Sequence, residues 1–155
     1  MIIGGGQEGG IRSGTENLFG IKVFEYAGKM HYQSIRENYK FIKELNQKFR
    51  SLLNPEYFTI ISSENASPYI LTISAKGLRG EVIMHSLENK GIIVGNGSAC
   101  SSKNRFSRVL ESAGYKEEVL DGVVRISFST ENTMDEIIES ANAINEVVKR
   151  LKGII

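Results

Sequence analysis

The chain has 155 residues, 41% hydrophobic and 24% charged, with a formal net charge of +1. That length can bury one respectable core, and the near-neutral balance gives no footprint for nucleic acid or an anionic membrane. No apolar run approaches a bilayer span, the N-terminus lacks a signal-peptide pattern, and one cysteine excludes an intrachain disulfide, so a cytoplasmic protein with a free thiol is expected.

Gly4, Gly5, Gly6, Gly9 and Gly10 crowd the first ten residues. A glycine-dense loop normally joins two elements, and only three residues precede this one, so the segment is expected to come from within a longer protein. A helical stretch follows from about Glu16 to Met30. A second amphipathic pattern places Ile35, Tyr39, Ile42, Leu45, Phe49 and Leu52 at three- and four-residue steps, and Asn54-Pro55 stops it. Tyr57 to Ile61 and Tyr69 to Ser74 are rich in β-branched and aromatic residues and predict strands. Glu81 to Lys90 predicts a short helix ended by Gly91, and Ile92-Ile93-Val94 a buried strand running into a loop from Gly95 to Lys103.

Further on, Phe106 to Ala113 predicts a short helix and Val123 to Phe128 a strand. Thr133 and Glu136 make the S/T-x-x-E pair of a capping box. Behind it Ile137, Ile138, Ala141, Ile144, Val147, Val148 and Leu151 form one face of a last helix. Several links are too short for parallel crossovers, so the fold class is α+β, a mixed or antiparallel sheet covered by helices.

Three segments could carry chemistry. Gly4 to Gly9 matches G-x-G-x-x-G, but no strand of useful length precedes it and Gly10 lengthens the loop, so the dinucleotide reading is weak. Its continuation is more specific: Arg12, Ser13 and Thr15 put a cation and two hydroxyls beside backbone N–H groups ahead of a helix, the parts of a phosphate site. Thr15 could equally be a helix N-cap.

The second segment is Gly95-Asn96-Gly97-Ser98-Ala99-Cys100-Ser101-Ser102-Lys103. A lone cysteine is often an inert small hydrophobe. Cys100, however, lies among glycines and serines, and Lys103 and Arg105 nearby would favour the thiolate. The third is Arg125, which either pairs with Asp121 or a glutamate or points into a cleft to hold a carboxylate. His31 and His85 are not at metal-ligand spacing with Cys100, so no metal site is expected.

Taken together, Gly4-Gly5-Gly6-Gln7-Glu8, Arg12-Ser13-Gly14-Thr15-Glu16-Asn17, Gly97-Ser98-Ala99-Cys100-Ser101 and Arg125-Ile126-Ser127-Phe128 resemble the cysteine desulfurases of the class V aminotransferase superfamily. The resemblance implies the small C-terminal domain of the aspartate-aminotransferase-like fold over residues 17–155, with residues 1–16 a loop from a missing large domain. It implies pyridoxal 5'-phosphate as cofactor and L-cysteine as substrate. Cys100 is then the nucleophile that accepts sulfur as a persulfide, Gly97, Ser98 and Ala99 support its loop, Arg125 holds the substrate α-carboxylate, and Thr15 reaches across a homodimer to the phosphate of the other subunit's cofactor. A sulfur-acceptor or scaffold protein is the implied partner.

Two departures matter. Gly9 stands where the family usually has arginine, and no Ser-His-Lys segment with the cofactor lysine occurs in the chain. Alone, the chain is therefore expected to bind no cofactor stably and to be inactive. Selenocysteine lyases and class V aminotransferases share the implied fold, and a non-catalytic module that carries sulfur or binds a partner is a different reading of the same residues.

Overall fold

The computed structural model describes residues 2–96 and 106–153. It divides into two compact units, one ending at Glu37 and one starting at Asn38.

The first unit opens with a loop closed on itself. Ile2 bridges Arg12: the Ile2 N–H donates to the Ile11 carbonyl at 3.1 Å and the Ser13 N–H to the Ile2 carbonyl at 3.1 Å. The Ser13 hydroxyl, buried within the loop, donates to the Gly5 carbonyl. Residues Gln7–Gly10 make a 3-10 turn rather than the start of a helix behind a strand, which leaves the dinucleotide motif without its context.

Helix α1 follows as Leu18–Leu52, so the two helices expected from the sequence are one. Nothing between Met30 and Ile35 breaks it: the intervening His31, Tyr32, Gln33 and Ser34 include neither glycine nor proline. Asn17 caps it, its Oδ1 accepting the Gly20 N–H at 3.0 Å. Within the first unit, α1 exposes two apolar rows at helical spacing, Phe19, Val23, Tyr26 and Met30 on one side and Ile21, Phe24, Tyr32 and Ile35 on another; Phe19 and Phe24 are each 81% exposed.

The second unit holds the core. Its sheet comprises β1 (Phe58–Ile60), β2 (Ile70–Ala75), β3 (Gly95–Asn96) and β4 (Val123–Ser127), in the order β1-β2-β4-β3, every neighbouring pair antiparallel. One face, from Leu71, Ile73, Ala75, Val124 and Ile126, is covered by Ile42, Leu45 and Phe49 of α1, by Ile83 and Leu87 of α2 (Gly80–Glu88), and by Ile137, Ile144 and Val148 of α5 (Met134–Lys152). Phe49 meets Phe128 edge-on with ring centroids 5.9 Å apart. The short helices α3 (Arg108–Ser112) and α4 (Glu117–Asp121) lie between β3 and β4 in sequence, and α4 had no counterpart in the sequence reading.

Polar side chains fasten this unit at its seams. Asn145 of α5 accepts the Asn54 N–H at 2.9 Å and donates to the carbonyls of Leu52 at 2.8 Å and Ala141 at 2.9 Å, tying the end of α1 to the middle of α5. The expected capping box on α5 is complete: Thr133 Oγ1 accepts the Glu136 N–H at 3.2 Å, and Glu136 Oε2 accepts the Thr133 N–H at 2.9 Å.

The strand expected at Ile92-Ile93-Val94 is displaced. Pairing starts only at Gly95, and Ile93 is 79% exposed, while Ile92 and Val94 pack partly against the core. The reason is the end of α2: Gly91 and Ile92 donate their N–H groups back to Glu88 and Leu87, at 2.9 and 3.0 Å, so the first residues after the helix serve its C-cap instead of a sheet ladder.

Candidate functional site

Alternation along the strands turns Thr72 of β2 and Arg125 of β4 to the face opposite the core, and the sheet register sets Thr72, Arg125 and Gly95 abreast on three adjacent strands. Arg125 is exposed and Thr72 half-buried. The guanidinium leans toward β3: a Cβ placed on Gly95 would stand 3.2 Å from Arg125 Nη2 and 3.3 Å from Nε.

A cavity of about 150 Å³ opens beside it, lined by Thr72, Ser107, Val109, Leu110, Val123 and Arg125. Ser107 is the N-cap residue of α3, yet its hydroxyl makes no cap hydrogen bond. The site thus gathers one cation and two hydroxyl-bearing residues over a partly apolar floor. That composition suits a small carboxylate: a guanidinium offers a planar fork of donors, and hydroxyls can complete it. Among the described residues Arg125 has no ion pair. A structural pair with Asp121 is not among the ion pairs of the described residues; Asp121 Oδ1 lies 4.0 Å from Arg79 Nε.

Thr15 lies in the first unit, exposed, three residues ahead of α1. The capping role open to it from sequence belongs to Asn17. Its carbonyl accepts from Arg12 Nη1 at 3.1 Å, so Arg12 braces the backbone of this turn while the Thr15 hydroxyl has no hydrogen bond among the described residues. Cys100, with Gly97, Ser98 and Ala99, falls outside the described residues. The segments flanking that stretch are β3, paired with Arg125 and Val124, and α3, whose start lines the cavity at Arg125.

Residues 5–139 match the aminotransferase class-V family. The chain belongs to that family. Among its relatives, cysteine desulfurase IscS of Buchnera aphidicola is 33% identical over 157 residues, covering 99% of this chain and 38% of that protein. A NifS/IcsS protein homolog of Lactobacillus delbrueckii is 30% identical, over 97% of this chain and 40% of the relative. The solved NifS-like protein of Rickettsia africae superposes with a TM-score of 0.80 at 32% identity, over 96% of this chain and 39% of that one. This class-V chain therefore spans about 40% of the length of the relatives it matches. Its fold is that of the matching part of the NifS-like protein, as the resemblance implied, and its sheet is antiparallel with helices over it, within the expected α+β class.

Pyridoxal phosphate is the cofactor this family implies, and the described residues do not by themselves fit it. Every described lysine is exposed or half-buried; Lys22, Lys29 and Lys90 stand in surface ion pairs and Lys76 donates to the Pro55 carbonyl. None offers the secluded amine the cofactor needs. No described group of three or more His, Cys, Asp or Glu could hold a metal ion, and no described helix is long and apolar enough to cross a membrane.

Sequence reading missed Thr72 and Ser107 as neighbours of Arg125. Thr72 was legible in principle, since Thr72 and Ser74 alternate with Leu71, Ile73 and Ala75 along β2, which sets the two hydroxyl residues on the face opposite the apolar row. Ser107 was not, because only the tertiary course of α3 brings it to β4.

Proposed function

We propose that this chain forms the small C-terminal part of a cysteine desulfurase, which removes sulfur from L-cysteine to give L-alanine and a persulfide on Cys100. The observation that carries the proposal is Arg125. It stands on the outer face of the middle of the sheet with no ion-pair partner among the described residues, beside a cavity of carboxylate size and between the two segments that lead into and out of the cysteine loop. The names of the relatives support the substrate.

In this reading Arg125 binds and orients the α-carboxylate of L-cysteine through a bidentate pair, with Thr72 and Ser107 available as further donors. Cys100, as thiolate, takes the substrate sulfur; the carbon–sulfur bond breaks, one proton goes to carbon and alanine leaves. Pyridoxal phosphate held on the lysine of the large domain would supply an electron sink there. Thr15 contributes a phosphate contact across a homodimer, and residues 1–16 belong with the large domain that carries the lysine. The persulfide then passes to an acceptor protein for iron–sulfur or thio-cofactor synthesis. The exposed apolar rows at residues 19–35 are contact surface for the rest of such an enzyme.

Alone the chain is inactive. Anaerobic incubation with pyridoxal phosphate and L-cysteine leaves the mass of Cys100 unchanged. Joined to a lysine-bearing large domain of a relative, the chain gains one sulfur atom, about 32 Da, on Cys100, and loses that gain in Cys100→Ser. A joined protein that binds cofactor and substrate yet never carries sulfur on Cys100 overturns the proposal.

A further inference from the structure

Glycine in a strand has two physical reasons: a backbone conformation closed to other residues, or another group approaching the space a side chain would fill. The first does not apply to Gly95, which is absent from the glycines with positive φ. The second does. Nη2, Nε and Cζ of Arg125 would lie 3.2, 3.3 and 3.5 Å from a Cβ at this position. A real Cβ there would force the guanidinium to give by some tenths of an ångström.

The three residues abreast explain the choice. Arg125 sits on the central strand between Thr72 and Gly95. On the β2 side a branched side chain stands directly opposite it. On the β3 side there is none, and the guanidinium has turned that way. Gly95 is also costly for the strand it occupies, which pairs over only two residues and gains nothing from a residue without a side chain.

We infer that Gly95 is a positioning residue: the space left by its missing side chain seats the Arg125 guanidinium and so fixes where Arg125 meets a carboxylate. The inference rests on Arg125 as the carboxylate-holding group proposed above. It adds that the residue at 95 tunes carboxylate affinity without touching the ligand. Alanine at 95 shifts the fork slightly, and valine displaces it from the seat.

The test reads Arg125 itself. In nitrogen-15 spectra of the full chain, the Nε–H resonance of Arg125 is identified by its disappearance in Arg125→Lys and titrated with sodium acetate against sodium chloride of equal ionic strength. Two results are expected. Gly95→Ala moves the resonance before any acetate is added, and it weakens the acetate response by roughly five- to tenfold, the scale set by sub-ångström misplacement of a binding group. Gly95→Val abolishes saturation. Backbone amide spectra unchanged away from residues 72, 95 and 125 show that the fold is intact, and the alanine variant, one methyl larger, stands if valine does not fold.

If the wild type responds to acetate and Gly95→Ala matches it in resting position and affinity, the inference fails and the reading of Arg125 survives. If the wild type does not respond while Gly95→Ala still moves the resting resonance, the carboxylate reading fails and the seat stands as structure without a positioning role. If neither changes, both are overturned.

Discussion

Replacing Asn145 with alanine removes one side chain that serves two elements. Its amide spans more than ninety positions of sequence to hold Asn54 and Leu52 at the end of α1, and it also meets Ala141 one turn earlier on α5. The bond to Ala141 adds little, because that carbonyl can keep a helical partner. The bonds to Asn54 and Leu52 leave a half-buried N–H and C=O to find other partners, at about 1 kcal/mol each. Asn145→Ala should therefore cost about 2 kcal/mol, or roughly 8 °C in melting temperature for a unit of this size. Asn145→Asp separates hydrogen bonding from packing. It keeps the shape but turns a carboxylate toward the Leu52 and Ala141 carbonyls, which raises its pKa in the folded state. A carboxyl with a raised folded pKa is penalised as pH climbs from its unfolded value, about 3.9, through the folded one, and the penalty is relieved on acidification. Urea denaturation at pH 7 and pH 4 reads both variants. The expected pattern is a constant deficit for alanine and, for aspartate, a larger deficit at pH 7 that shrinks at pH 4. An alanine variant within 0.5 kcal/mol of the wild type, or an aspartate variant whose deficit does not depend on pH, refutes the reasoning (the threshold is about half the smallest expected effect).

Thr133→Ala should lose about 1 kcal/mol, since it leaves the Glu136 N–H without its cap, while Thr133→Ser keeps nearly all of it; thermal melts compare the two. Gly80→Ala should lose at least about 2 kcal/mol or prevent folding, because a Cβ there would stand 2.1 Å from the Val123 carbonyl oxygen, a backbone atom that cannot move aside; the urea midpoint measures it. A hydrogen bond from Lys90 holds the Glu146 carboxyl below its ordinary value, with the charge of Lys90 adding to it. Its contribution is therefore present above the unfolded pKa and lost as pH falls through the lowered folded one. Glu146→Gln should be slightly less stable than wild type at pH 7, and the gap should close below about pH 4.5 in the same denaturation series.

Most of the second unit was legible because its elements satisfy local and global rules together. The period of Ile137, Ala141, Ile144 and Val148 and the Thr133–Glu136 box both point to α5, and alternation in β2 and β4 agrees with their register. Legibility failed where tertiary structure overrode a local signal. Ile92-Ile93-Val94 has every compositional mark of a strand, but its first N–H is spent on the end of α2. α4 is one turn long and lacks a periodic stripe, so its helicity comes from packing: its Leu120 is buried, and Ser74 of β2 donates its hydroxyl to the Val119 carbonyl at 2.6 Å. At the candidate site, Arg125 could be singled out from sequence. That Thr72, Gly95 and Ser107 surround Arg125 could not, since strand order and register fix that neighbourhood.

The strand order also sets a timetable. β1 and β2 join across a short connection, Ile60 opposite Ile73, whereas Ile73 meets Val124 only after about fifty intervening residues are closed into a loop. Two doublings of loop length add about 1.2 kcal/mol to the entropic cost of that contact, so the central pairing of the sheet assembles after its edge hairpin. β3 comes later still. Its two residues gain almost nothing until β4 is in place to receive them. Native-state hydrogen exchange should then find β3 opening at lower free energy than the β2–β4 ladder. The β3–β4 pairing beside Arg125 is thus expected to be the last part of the sheet to form and the first to open, and if Arg125 holds a carboxylate as proposed, that geometry would loosen and re-form while the rest of the sheet stays folded.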